Sequence, residues 1–116
     1  MVRIRESSLG SVDMQHLENE LQKHTTSSSD GSLRRTDVIG CFTAASNITG
    51  VLTDTVAVTI LLHRYKALAF WDYATAAPYV TLDMNPVVVG DTEGLAHKDA
   101  MFFSMHKFLG GPQTPG

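Results

Sequence analysis

The chain has one cysteine, one tryptophan and four prolines, and neither sign of charge dominates it. A single thiol, Cys41, excludes an internal disulfide and suits a reducing compartment. Nine lysines and arginines against twelve acids leave a net charge of −3, with no basic stretch of the kind that binds nucleic acid. No apolar run approaches the ~20 residues needed to span a bilayer. The start, Met1-Val2-Arg3-Ile4-Arg5-Glu6, lacks the apolar stretch of a signal peptide, so a cytoplasmic location is expected. What remains is globular: 43% hydrophobic and 18% charged residues over 116 positions, enough for one small domain.

Both ends read as cut. Val2 to Arg5 reads as a strand with almost no lead-in, and residues 110–116 are a turn-rich loop leading to nothing. A fragment of one larger domain is the expectation.

Leu9-Gly10-Ser11 has turn chemistry. Asp13 is suited to cap a helix, because its carboxylate can accept free N–H groups of the first turn. Met14, Leu17 and Leu21 then recur at helical spacing, which predicts an amphipathic helix from Asp13 to His24. Residues 25–32, rich in Ser, Thr and Gly, predict a mobile loop. Val38 to Phe42 predicts a buried strand, with Cys41 an inert small hydrophobe within it. Thr43 to Thr49 reads as a loop. Thr53 or Asp54 can cap a helix running through Val56, Ile60 and Arg64 toward Tyr65. Ala67 to Trp71 predicts a strand covered on both faces, so strand, helix and strand form a βαβ unit with parallel strands. Ala76-Ala77-Pro78 breaks the pattern, and Thr81 to His97 is mostly loop; Val87 to Val89 reads as either a short strand or a buried loop segment. Ala100 to Phe103 predicts another strand buried on both faces, with Trp71, Phe102 and Phe103 in the core. The fold class is therefore α/β: a layered α/β/α arrangement with a mostly parallel sheet.

Open parallel sheets bind ligands at the carboxyl ends of their strands. Three segments reach that edge: Ala44 to Asn47, Asp72 to Thr75, and Ser104 to Lys107. Asp72 and Lys107, 35 positions apart, each follow an apolar run. An acid for a ring nitrogen and an amine for an aldehyde are what pyridoxal phosphate requires of a protein.

The ordered set Ala45-Ser46-Asn47-Ile48-Thr49-Gly50, Trp71-Asp72-Tyr73-Ala74 and Ser104-Met105-His106-Lys107, with Gly110-Gly111-Pro112 after it, resembles the class V aminotransferases. That pyridoxal-phosphate family includes cysteine desulfurases, kynureninase and phosphoserine aminotransferase. The Ser-x-His-Lys signature is the most specific element. The resemblance covers nearly the whole chain and implies part of the large domain of a pyridoxal-phosphate-dependent transferase fold. It implies that Lys107 carries the cofactor aldehyde as a Schiff base and moves the substrate α-proton. Asp72 would hold the pyridine nitrogen protonated, because an adjacent anion favours the cation. Ala74 would pack on one ring face. Ser104 and His106 would contact the phosphate, and Asn47 would sit near the ring hydroxyl and the substrate carboxylate. The family often has glutamine three residues after the aspartate; Thr75 stands there, and it either reaches the ring hydroxyl through water or leaves that contact unmade.

The resemblance further implies an amino-acid substrate and a homodimeric parent, with the substrate-carboxylate arginine and other phosphate contacts supplied from elsewhere. Weak or no turnover is expected of these 116 residues alone. A non-catalytic α/β fragment or binding module is the alternative. A Rossmann-like nucleotide binder fits less well, because no G-x-G-x-x-G follows a strand. Asp72 can also cap the turn that starts at Ala74. His16, His24, His63 and His97 have no metal-like spacing and read as surface residues, so no metal site is expected. Asn47-Ile48-Thr49 is a formal glycosylation sequon that reads as chance.

Overall fold

The computed structural model describes residues 1–25 and 38–111. The loop expected over 25–32 lies outside that range except for Thr25, and so do residues 112–116 of the terminal loop.

Helix α1 spans Met14–His24. Asp13 caps it as expected, its carboxylate accepting the His16 N–H at 2.9 Å. The chain before it is not a strand. Residues 2–5 carry no ladder; instead Glu6 and Val12 form an isolated antiparallel bridge around Gly10 at φ 75°. Val2 is 46% exposed, so no burial offsets the cost of ordering a strand there.

Strand β1 is Ile39–Thr43, helix α2 Thr55–Arg64 and strand β2 Leu68–Asp72. Asp54 is the cap of α2, accepting the Ala57 N–H at 3.0 Å. The helix stops at a tight turn in which Lys66 takes φ 61°, and the Ala67 N–H reaches back to the Leu62 carbonyl at 3.0 Å. β1 and β2 pair in parallel, with Gly40 beside Ala69 and Thr43 beside Asp72. The βαβ unit is thus present. Strand β3, Ala100–Phe102, extends the sheet in the order β1-β2-β3, again parallel, with Asp72 beside Phe102. A 3-10 turn, Met105–Lys107, follows it.

The core lies between the sheet and the helices. Leu17 and Leu21 of α1, Val58 and Leu62 of α2, and Ala69 and Trp71 of β2 are all buried. A Cβ on Gly40 would come within 2.7 Å of the Leu62 methyls, so α2 rests directly on β1 there. Trp71 donates its indole N–H to the Thr59 hydroxyl at 2.9 Å, tying β2 to the same helix.

Burial corrects three sequence expectations. β1 is not a buried strand: Ile39 is 50% exposed and Cys41 is exposed, so Cys41 is not an enclosed hydrophobe. In β2, Ala69 and Trp71 are buried while Leu68 and Phe70 are only partly so. Phe102 and Phe103, expected in the core, are 56% and 38% exposed. Phe103 lies past the end of β3, and the other exposures have one reason. Among the described residues the helices cover one face of the sheet, and Ile39, Cys41, Phe70 and Phe102 project from the other. Val87 and Val89 stand fully in solvent on a loop, so that segment is neither a strand nor buried. Among the described residues no helix is long and apolar enough to cross a membrane.

Candidate active site at the strand tips

The three strand ends meet where the sequence places them. The Asp72 carbonyl accepts the Ala44 N–H at 2.9 Å on the β1 side, and the Tyr73 N–H reaches the Phe102 carbonyl at 2.7 Å on the β3 side. Asp72 therefore sits at the tip of the central strand with its peptide tied to both neighbours. Its side chain is exposed. One carboxylate oxygen accepts the Ala74 N–H at 2.7 Å, so Asp72 does hold the turn after the strand. The other oxygen has no hydrogen bond among the described residues and remains available to a ligand. Tyr73, Ala76 and Ala77 are buried beneath the turn, which fixes Ala74 and Thr75, both half-buried, just beyond the strand.

Lys107 closes the 3-10 turn after β3, the neighbouring strand. Its ammonium is exposed and makes no ion pair among the described residues. The Lys107 N–H donates to the Ser104 carbonyl at 3.1 Å, while the Ser104 hydroxyl makes no cap hydrogen bond among the described residues. His106 is exposed beside it, and Asn47 is exposed on the turn after β1. Asp72, Ala74, Thr75, Asn47, Ser104, His106 and Lys107 thus all lie on segments leaving one edge of the sheet. Below them an open hollow of about 290 Å³ runs over the uncovered face, lined by Cys41, Phe70, Phe102 and Asp72 among others. A carboxylate with one free oxygen, a small residue next to it and an unpaired amine on the adjacent tip form a donor set that fits the nitrogen, the face and the aldehyde of pyridoxal phosphate.

A second polar group at the opposite edge escaped the sequence reading. His63, expected at the surface, is 8% exposed. Its ring nitrogens face the Leu95 carbonyl at 2.7 Å and Asp99 Oδ2 at 2.8 Å. Asp99 also accepts the Ala69 N–H at 2.7 Å. Partial burial opposes the Asp99 charge, but the Ala69 N–H and the His63 ring outweigh it and hold the carboxyl below the ordinary Asp value. The signal was present: His63 lies four residues after Thr59, on the buried face of α2. Nearby, Lys98 is 5% exposed with its ammonium on the Asp83 carbonyl at 2.9 Å, and burial pushes the amine below the usual lysine value. Asp91 accepts the Leu95 and Ala96 N–H groups at 2.9 and 2.8 Å, and these bonds hold its carboxyl low.

The structure is a parallel α/β sheet with an acid at the tip of β2 and a lysine on the segment that leaves the adjacent strand β3. Residues 6–113 match the family model described as aminotransferase class-V, and the chain belongs to that family. A solved structure of a NifS-like protein from Rickettsia africae is similar in fold, with a TM-score of 0.69 at 21% identity. The match covers 97% of this chain and 26% of that one, so this chain spans about a quarter of its length. No curated protein matches.

Proposed function

We propose that residues 1–116 are part of one cofactor-binding large domain of a pyridoxal-phosphate-dependent enzyme that acts on amino-acid substrates. The observation that carries this reading is the central-strand position of Asp72, with one oxygen uncommitted among the described residues, and the position of Lys107, without an ion pair among those residues, on the exit of the next strand. When bound, pyridoxal phosphate supplies an aldehyde carbon and an electron-withdrawing ring that acidifies the substrate α-carbon. The chain's own groups do the rest. Asp72 keeps a proton on the ring nitrogen, because its carboxylate stabilises the adjacent cation. Ala74 leaves room for a flat ring where a larger side chain would collide. Ser104 and His106 donate to the phosphate, Asn47 and Thr75 lie toward the ring hydroxyl, and Lys107 anchors the aldehyde and carries a proton to and from the α-carbon at its Nζ. We assign no arginine of this chain to the substrate carboxylate, so the 116 residues make one wall of a site and turn over weakly or not at all. The whole enzyme is a cytoplasmic homodimer in this reading.

Borohydride trapping tests it. The chain is mixed with pyridoxal phosphate, followed by near-ultraviolet and visible absorbance, reduced and mapped by peptide mass. One cofactor per chain on the Lys107 peptide is expected, lost in Lys107→Ala and bound at least about tenfold more weakly in Asp72→Ala, which forfeits a charged contact of about 1.5–3 kcal/mol. Label spread evenly over Lys23, Lys66, Lys98 and Lys107, or no label, defeats the assignment.

A further inference from the structure

We propose that His63, His97 and Asp99 form a binding site for a zinc-like divalent cation that clips α2 to the start of β3, separate from the strand-tip site. Among the described residues their ligand atoms all lie within 4.8 Å of one another. The orientation of the two rings carries the inference. His63 Nδ1 lies 2.7 Å from the Leu95 carbonyl and His97 Nδ1 lies 2.7 Å from the Gly94 carbonyl. A carbonyl only accepts, so each Nδ1 carries its proton and each Nε2 is the nitrogen left for other work. Backbone carbonyls acting on the far nitrogen in this way are what orient histidines on a metal. Both Nε2 atoms face one carboxylate: His63 Nε2 is 2.8 Å from Asp99 Oδ2, and His97 Nε2 is 4.0 Å from Asp99 Oδ1. The rings stack with centroids 4.4 Å apart and 28° between planes.

Tetrahedral zinc with bonds of about 2.0–2.2 Å sets its ligand atoms roughly 3.3 Å apart. The 2.8 and 4.0 Å separations bracket that value, so small side-chain rotations admit the ion. The 2.8 Å contact needs one proton between nitrogen and oxygen; the cation takes its place and the proton leaves to solvent. Lys98, between His97 and Asp99 in sequence, does not oppose the charge from inside the site, because its ammonium is committed to the Asp83 carbonyl. Two imidazoles and one carboxylate suit zinc and its neighbours over magnesium or calcium, which prefer all-oxygen shells. Asp99 precedes β3 and His63 ends α2, so the ion lies at the opposite edge of the sheet from Lys107 and joins the helix end, the 94–99 loop and β2 through Ala69.

The test uses the untagged 116-residue chain, stripped with EDTA and titrated with Zn²⁺ by calorimetry and with Co²⁺ by visible absorbance. One ion per chain is expected, with a rise in the unfolding temperature. His97 is 47% exposed at its side chain, so His97→Gln should fold like the parent in EDTA by circular dichroism and melting. The same variant should bind Zn²⁺ at least about tenfold more weakly and lose the cobalt band. Cys41→Ser should change neither. Absence of stoichiometric binding, unchanged affinity in His97→Gln, or loss of binding in Cys41→Ser overturns the assignment.

Discussion

The bond between Trp71 and Thr59 can be tested without touching any group assigned to binding. Both residues are fully buried, and the indole N–H donates to the hydroxyl at 2.9 Å. Thr59→Val keeps the volume and branching but removes the acceptor. A buried donor left without a partner costs about 1–3 kcal/mol. Burying a methyl in place of a hydroxyl returns part of that, leaving a net loss of roughly 1–2 kcal/mol. At this chain length a kilocalorie corresponds to about 4 °C, so the melting temperature should fall by roughly 4–8 °C. Thr59→Ser keeps the bond and loses one methyl, a cost of about 1 kcal/mol. Trp71 is the only tryptophan, so its fluorescence reports this site directly during urea unfolding. Thr59→Ser should keep the parent emission and Thr59→Val should not. If Thr59→Val is as stable as the parent while Thr59→Ser is weaker, packing alone holds β2 to α2 and the hydrogen-bond argument fails. The point bears on function because Asp72 follows Trp71: the indole anchor sets where the strand tip ends.

Acid should weaken the loop before β3. The Asp91 and Asp99 carboxyls are held below their ordinary values, so their stabilisation is complete above the unfolded-state pKa of about 3.9 and is lost as pH falls through the lower folded values. The unfolding midpoint should drop below about pH 4, and Asp91→Asn should flatten that dependence; an unchanged slope counts against the Asp91 clasp. Lys66 occupies the left-handed region at φ 61°. Lys66→Gly relieves about 1–2 kcal/mol of strain and gives back about 0.5–1 in chain entropy, so chemical denaturation should show a net gain of up to about 1.5 kcal/mol. A destabilised Lys66→Gly would refute the strain argument.

Local chemistry made much of the fold legible. Asp13 is read as a cap because a short acid before a helical apolar pattern has few better uses, and of Thr53 and Asp54 at the second helix the structure selects Asp54. The parallel pairing of β1 and β2 follows from a helix of ten residues between two apolar runs. The same runs misled about burial. An apolar strand without alternation predicts cover on both faces, whereas the described residues cover only the Trp71 face, so Cys41 and Phe102 are exposed. Residues 2–5 have strand-like composition, but a strand needs a partner, and sequence does not show where one would lie.

Residue order by itself determined the α/β class, the start of the first helix and the parallel direction of β1 and β2, because each depends on spacing of a few residues or on the length of chain between two strands. Only the tertiary structure decided which oxygen of Asp72 is free, which strand face is open, and that His63 meets His97 and Asp99 across more than thirty positions. Those outcomes depend on distances between segments remote in the chain. Packing sets such distances, and no local pattern encodes them.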